Sequence, residues 1–321
     1  MIPVWLGLIL ILFPSLLFGQ NSEGDMYFHG SSQKIIDGSV ENKGILGGSF
    51  RHFSDSYYLD IAPQLAVPFD GSNIEGNISS VGEIFFPWGG TSAHIYYQDT
   101  ADSLNDQFKA AGELYHTIEK QRYIIEYGDI FDFAYYPDYK NFTHFDNTLY
   151  LLYKKFYRTF ALHTYFDFTY RYFNNISEQS IGLTKASAEV YFSRGIKKNI
   201  GLKYGMYINK NITSTDSLIY VSSELFDPFA YDEYKIYLGS TIYLNDLLLK
   251  PDISVQHKIY ITSSAQSSFS ETGMGISLYA DYPISNNLLL YSSSNIFVLF
   301  DSDLRVSTYD ASFGIRYLFN R

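Results

Sequence analysis

Seven histidines are spread along the 321 residues, at 29, 52, 94, 116, 144, 163 and 257, and there is no cysteine. A zinc site needs several ligands at close spacing, and neither an HExxH motif nor a histidine pair with a third ligand nearby occurs. His163 and Asp167 fall on one face of an alternating segment and read as an ordinary polar pair. Nucleophilic hydrolysis needs a histidine beside a serine. His29 with Ser31 and His52 with Ser54 have the two-residue spacing that puts both side chains on one face of a strand. Asp138, His144 and Asp146 share a polar stretch where acids and an imidazole could activate water. Asp301 and Asp303, and the set Glu224, Asp227, Asp232 and Glu233, could offer oxygens to a hard cation, though such acids ordinarily form a solvated loop. No phosphate-cradling glycine motif precedes a helix. The reading is therefore a non-enzyme with no catalytic residues, no metal site and no cofactor.

The larger set of chemistry-bearing residues is a series of charges at every second position. Glu126, Asp132, Asp167, Arg171, Lys185, Glu189, Lys203, Lys235, Lys250, Asp252, Lys258, Asp281, Asp310 and Arg316 each share a row with small or polar neighbours and oppose an apolar row. In 198–210 the row Ile200, Leu202, Tyr204, Met206 and Ile208 opposes Asn199, Gly201, Lys203, Gly205, Tyr207 and Asn209. The stretches 249–261, 273–282, 185–193, 234–244, 57–67 and 307–319 behave alike. Period-two alternation is the strand signature, and nothing repeats at helical spacing. Asp129 stands out, an acid on the apolar row Tyr123, Ile125, Tyr127, Phe131 and Phe133. A charge facing hydrocarbon is costly, so a bulge or a position near a rim is expected there.

Composition narrows the class. A net charge of −11 argues against nucleic acid as a partner, since phosphates need a basic footprint. A mean hydropathy just below zero excludes a bundle of membrane-spanning helices. Residues 1–19 are apolar and uncharged and end in Gly19 before a polar stretch. They read as a secretory signal peptide cleaved near Gly19, although no Lys or Arg precedes the apolar run. Residues 20–321 then form one exported domain.

Fourteen clear strand segments and two weaker ones, near 27–36 and 43–53, give an all-β chain. The expected architecture is a single transmembrane antiparallel β-barrel of 16 strands, with 14 as the alternative, in which case residues 20–54 form an arm or plug. Three features favour a membrane barrel over a soluble sandwich. Many segments are 11–15 residues long, against ~5–6 for soluble strands and ~9–11 for a tilted bilayer crossing. Short links, as at 195–197, 245–247 and 285–286, alternate with longer polar ones at 137–145, 174–183, 210–231 and 262–270. Aromatics, which make up 18% of the chain, crowd strand ends, as at Phe166, Phe168, Tyr170 and Tyr172.

The C-terminus carries a sharper pattern. Ser312, Gly314, Tyr317 and Phe319 resemble the β-signal of bacterial outer-membrane proteins, in which a polar residue and a glycine precede two hydrophobic positions spaced by two. Asn320 and Arg321 follow the final aromatic, where many members of the class end. The resemblance implies an outer-membrane location, contact with outer-membrane lipid and recognition by the barrel assembly machinery. It puts Phe313, Ile315, Tyr317 and Phe319 on the lipid-facing row. The fourteen charges would then line a bore, and the expected function is a passive, porin-like channel for small hydrophilic solutes. The rivals are a non-conducting structural or docking barrel, using the apolar residues of 210–231 as a contact surface, and a hydrolase built into the wall.

Overall fold

The computed structural model describes residues 22–34, 40–69, 74–99, 107–136, 143–176, 179–212, 231–260, 270–300 and 305–319. The expected signal peptide, Asp138, Glu224, Asp227, Asp301, Asp303 and most of the segment 210–231 lie outside the described residues. Sixteen strands follow in chain order: β1 Ser22–Lys34, β2 Val40–Phe53, β3 Tyr57–Pro68, β4 Glu75–Phe86, β5 Gly89–Asp99, β6 Gln107–Lys120, β7 Tyr123–Tyr135 and β8 His144–Phe156. Then come β9 Ala161–Ile176, β10 Gln179–Lys197, β11 Ile200–Asn211, β12 Tyr231–Leu244, β13 Leu247–Tyr260, β14 Ser270–Ser285, β15 Leu288–Leu299 and β16 Arg305–Phe319. Each pairs antiparallel with its chain neighbours, and β1 pairs with β16 to close the sheet into a barrel.

The count of sixteen removes the fourteen-stranded alternative. Residues 22–34 and 40–53 belong to the wall, not to an arm or plug. Their alternation is weak in sequence because Gly24, Gly30, Gly44, Gly47 and Gly48 dilute it. Closure is extensive: β1 and β16 pair from Gly24↔Phe319 to Lys34↔Tyr309 without a register shift. The link expected at 174–183 shrinks to 177–178, because β9 and β10 extend past the polar residues that suggested a loop.

Short turns gather at one rim, at 54–56, 87–88, 121–122, 157–160, 198–199, 245–246 and 286–287. The two-residue turn at 245–246 places Asn245 at φ 57°, the left-handed conformation that tight hairpin turns require and that asparagine tolerates. Both ends of the wall, Ser22 and Phe319, lie at this same rim.

The wall has an apolar outer face. Phe28, Leu114, Phe131, Leu149, Ile236 and Phe313 all stand more than half exposed. Only nine apolar side chains among the described residues are buried, so no packed interior core explains the fold. Ladder hydrogen bonds and an environment for the outer face must supply the stability instead.

The structure corrects one expectation on this face. Asp129 sits in the middle of β7, with no bulge in its pairing to β6 or β8 and far from either rim. Its carboxylate accepts a 2.7 Å hydrogen bond from the Asn147 side chain of β8. Asn147 also lies on the apolar row, opposite Phe131. The acid is accommodated by a diagonal cross-strand donor and not by a break in the strand.

Candidate functional site

Which row faces inward follows from contacts between strands two apart. Such strands lie about 10 Å from each other, and their side chains meet only on the concave side, where they converge. Tyr150 of β8 donates to Glu113 of β6 at 2.6 Å, and Tyr115 of β6 donates to Glu83 of β4 at 2.5 Å. Tyr237 of β12 donates to Glu189 of β10, and Lys43 of β2 reaches Glu75 of β4 at 3.0 Å. His29 of β1 bonds Tyr291 of β15 across β16 at 2.6 Å. These residues fix the inner row of their strands, and alternation and register extend it around the barrel.

On that basis the fourteen charged positions read from the sequence all fall on the inner row. Their partners differ. Arg171 makes a two-pronged bond to Asp146, with both contacts at 2.8 Å. Asp167 accepts from Ser187, so it is engaged away from His163. Glu126 accepts from Thr117 at 3.2 Å and from Tyr150 at 3.3 Å. Lys203 lies over the Tyr191 and Tyr237 rings, at 4.0 and 4.9 Å, and 4.0 Å from Glu189. Arg316 sits between the Tyr27 and Tyr291 rings, at 5.8 and 5.0 Å, a favourable seat for a guanidinium. Asp281 accepts from Tyr279 at 3.2 Å, and Lys250 lies over the same ring. Lys258 stands over Tyr231 at 4.1 Å and opposite Glu233, while Lys235 is opposite Gln256.

Sequence reading missed the inner charges of the first six strands. Arg51 lies between Asp25 at 3.4 Å and Asp60 at 3.6 Å, and Lys43 between Glu41 and Glu75, both at 3.0 Å. Glu83 and Glu113 are the carboxylates held by Tyr115 and Tyr150. The same period-two signal marks them, but in strands where glycine and serine weaken the contrast between rows.

A second missed feature is how the inner tyrosines sit. Many face a glycine across the ladder: Tyr27 opposite Gly47, Tyr115 opposite Gly90 and Gly128, Tyr191 and Tyr237 opposite Gly205, and Tyr291 opposite Gly314. At Gly47 an added Cβ would come within 2.5 Å of the Tyr27 ring, and at Gly90 within 2.5 Å of the Tyr115 hydroxyl. At these two positions the ring lies along the wall over the missing side chain, and the hydroxyls of Tyr115 and Tyr237 meet carboxylates on the wall.

The histidine–serine pairs resolve differently. His52 bonds the Tyr57 hydroxyl at 2.8 Å, while Ser54 accepts from backbone in the adjoining turn. His29 and Ser31 share the inner face, yet His29 bonds Tyr291 and Ser31 leans on the Lys43 carbonyl at 3.5 Å. His144 packs edge-on against Phe173, and Asp146 belongs to Arg171. A pair that spacing could not reveal lies across β9 and β10, where His163 Nε2 is 3.2 Å from Ser193 Oγ and its ring stacks on Tyr191 at 4.2 Å. Among the described residues no group of three histidines and acids is placed to hold a metal ion.

At the C-terminal seam, Ser312 bonds Ser293 at 2.8 Å on the inner face. Gly314 is pressed against β1, where a Cβ would lie 2.3 Å from that of His29. Tyr317 and Phe319 form an edge-to-face pair on the outer row at the short-turn rim, with centroids 4.9 Å apart.

Comparison with solved structures gives the same architecture at low sequence identity. No protein-family model matches the chain, and no curated protein matches it in sequence. A loop-deletion mutant of OmpT, an outer membrane protein of Vibrio cholerae, aligns over 93% of this chain and 98% of its own, with TM-score 0.50 and 14% identity. OccK2 (OpdF) of Pseudomonas aeruginosa, solved in complex with glucuronate, aligns over 93% and 97%, with TM-score 0.52 and 11% identity. CdiB from Escherichia coli gives TM-score 0.68 at 10% identity, covering 94% of this chain and 64% of that one. With its sixteen antiparallel strands, apolar exterior and closed seam, the chain has the fold of bacterial outer-membrane β-barrel proteins.

Proposed function

We propose that the protein is an integral barrel of the bacterial outer membrane and a passive, porin-like channel for small hydrophilic solutes. In this reading residues 1–19 direct export, and the assembly machinery engages Ser312, Gly314, Tyr317 and Phe319. The apolar outer face, continuous around the wall, supports a lipid surrounding. The observation that carries the channel reading is the direction of the inner charge pairs. Arg171–Asp146, Arg51–Asp25, Arg51–Asp60, Lys43–Glu75 and Lys203–Glu189 join neighbouring strands or strands two apart. They run along the wall and do not bridge it, so pairing neutralises the lining without pulling opposite sides together. A sixteen-stranded wall also encloses more room than its own side chains fill.

The test is single-channel recording on the refolded barrel in planar bilayers. Ohmic steps whose size grows with salt concentration support the channel. A correctly folded barrel that passes no current overturns it in favour of a structural or docking barrel. A wall-borne hydrolase rests on one contact, His163 with Ser193. Its check is labelling of Ser193 by a fluorophosphonate probe, and an unlabelled Ser193 removes it.

A further inference from the structure

The inner wall carries a concave site near the long-loop rim that the channel reading does not use. It is a cavity of about 250 Å³ bounded by β1–β5 and β16. That is near the lower end of the ~300–1,000 Å³ typical of small-molecule sites, so its occupant is about the size of one sugar ring. Four of the lining side chains are carboxamides, Gln33, Gln64, Asn77 and Gln98, and neighbouring bonds set the orientation of three of them. Asn77 donates to the Gln64 carbonyl oxygen at 3.3 Å, which leaves the Gln64 amide N–H groups and the Asn77 carbonyl for a ligand. The Gln98 carbonyl oxygen accepts from Gln107 and from Tyr96, both at 2.7 Å, which leaves the Gln98 N–H donors for a ligand. Donors and acceptors therefore alternate over a short span of wall. Vicinal hydroxyls, each a donor and an acceptor at once, are the complementary chemistry.

Charge narrows the class further. Lys43 is the cation of the site, and its ammonium is held by Glu75 and Glu41 at 3.0 Å each. Asp310, also in the lining, faces Gln33 and Asn295 across the ladder. Among the described lining residues, Lys43 is thus already engaged by two carboxylates, His29 is bonded to Tyr291, and Asp310 is set against an incoming carboxylate.

We propose that this cavity binds a neutral monosaccharide and discriminates against the corresponding uronic acid. The proposal rests on the barrel having an accessible interior. Sugar held there narrows the conducting path, so glucose should reduce current in a saturable way.

The experiment adds glucose or glucuronate to the refolded barrel in planar bilayers, with calorimetry of the detergent-refolded barrel run in parallel. Glucose should bind at least tenfold more tightly than glucuronate in both measurements. Gln64→Leu with Gln98→Leu should weaken glucose binding at least tenfold while conductance without sugar is kept. Asp310→Asn should leave glucose binding in place and tighten glucuronate several-fold, an effect that a merely misfolded variant cannot give. Heat-modifiable migration on unboiled gels verifies folding of each variant. A conducting barrel with no saturable glucose effect and no calorimetric binding overturns the site and leaves the channel standing. Glucuronate binding as tightly as glucose overturns the assigned class. A barrel that passes no current but binds glucose in calorimetry overturns the channel and keeps the site.

Discussion

On a row proposed to face lipid, a carboxylate is tolerable only with a donor that hydrocarbon cannot supply, and Asp129 has one in Asn147 at 2.7 Å. Replacing Asn147 by Leu leaves the carboxylate without that partner and should destabilise the folded barrel by ~1–3 kcal/mol. Replacing both Asp129 and Asn147 by Leu removes the polar atoms together and should restore or exceed the original stability. Urea titration of folding into lipid vesicles measures both. A double variant no more stable than Asn147→Leu would show that the pair does something other than satisfy itself. The sequence marks Asp129 because period-two alternation is local and one acid on an apolar row is visible within seven residues. Its donor sits on the next strand, one diagonal step away, and only the β7–β8 register brings the two together. The tyrosine–glutamate bonds were hidden for the same reason, since Tyr150 and Glu113 are 37 positions apart.

Strands were legible wherever large apolar and polar residues alternate, as in β11 and β13, and faint in β1 and β2, where Gly24, Gly30, Gly44 and Gly48 interrupt the outer row. Glycines of the inner row have a purpose of their own, because several of them lie opposite an inner tyrosine. At Gly205 a Cβ would be 2.4 Å from the Tyr191 Cβ and 2.5 Å from the Val190 carbonyl oxygen. Gly205→Ala must therefore shift backbone or ring and should cost ~1–3 kcal/mol. Gly82, on the outer face, has nothing within 4 Å of the same atom, so Gly82→Ala should change stability by less than ~1 kcal/mol. Thermal or urea unfolding of the two variants side by side separates them. The faces themselves are tested on β11, where Met206 is 52% exposed on the outer row near mid-strand. Met206→Arg should cost ~2–4 kcal/mol in vesicles, whereas Lys203→Glu, on the inner row beside Glu189, should alter conduction and cost folding less than Met206→Arg does. Equal folding costs from the two would contradict a lipid-facing exterior.

Closure makes the last strand a keystone, since β16 must pair with both β15 and β1 before any edge disappears. Tyr317→Ala with Phe319→Ala removes the outer pair at the short-turn rim and should block assembly in cells, with the protein degraded in the periplasm. Normal heat-modifiable migration of that variant would break the link to the β-signal. Once the wall is closed, the inner charges act as one field. Lys235 and Lys258 lie on adjacent strands in the half nearer the long loops. Lys258 sits two pairs closer to that rim, opposite Glu233, and Lys235 is opposite Gln256. An opposite charge therefore faces only Lys258, so Lys235 should dominate the local field. In a wet bore that field extends about 8 Å at physiological salt before it is screened, enough to bias passing ions without excluding either sign. Lys235→Glu should thus move the reversal potential in a salt gradient toward cation preference more than Lys258→Glu does. The double reversal should move it furthest, and all three shifts should shrink as salt is raised. A conducting barrel whose selectivity ignores both reversals would place its ion path away from this wall.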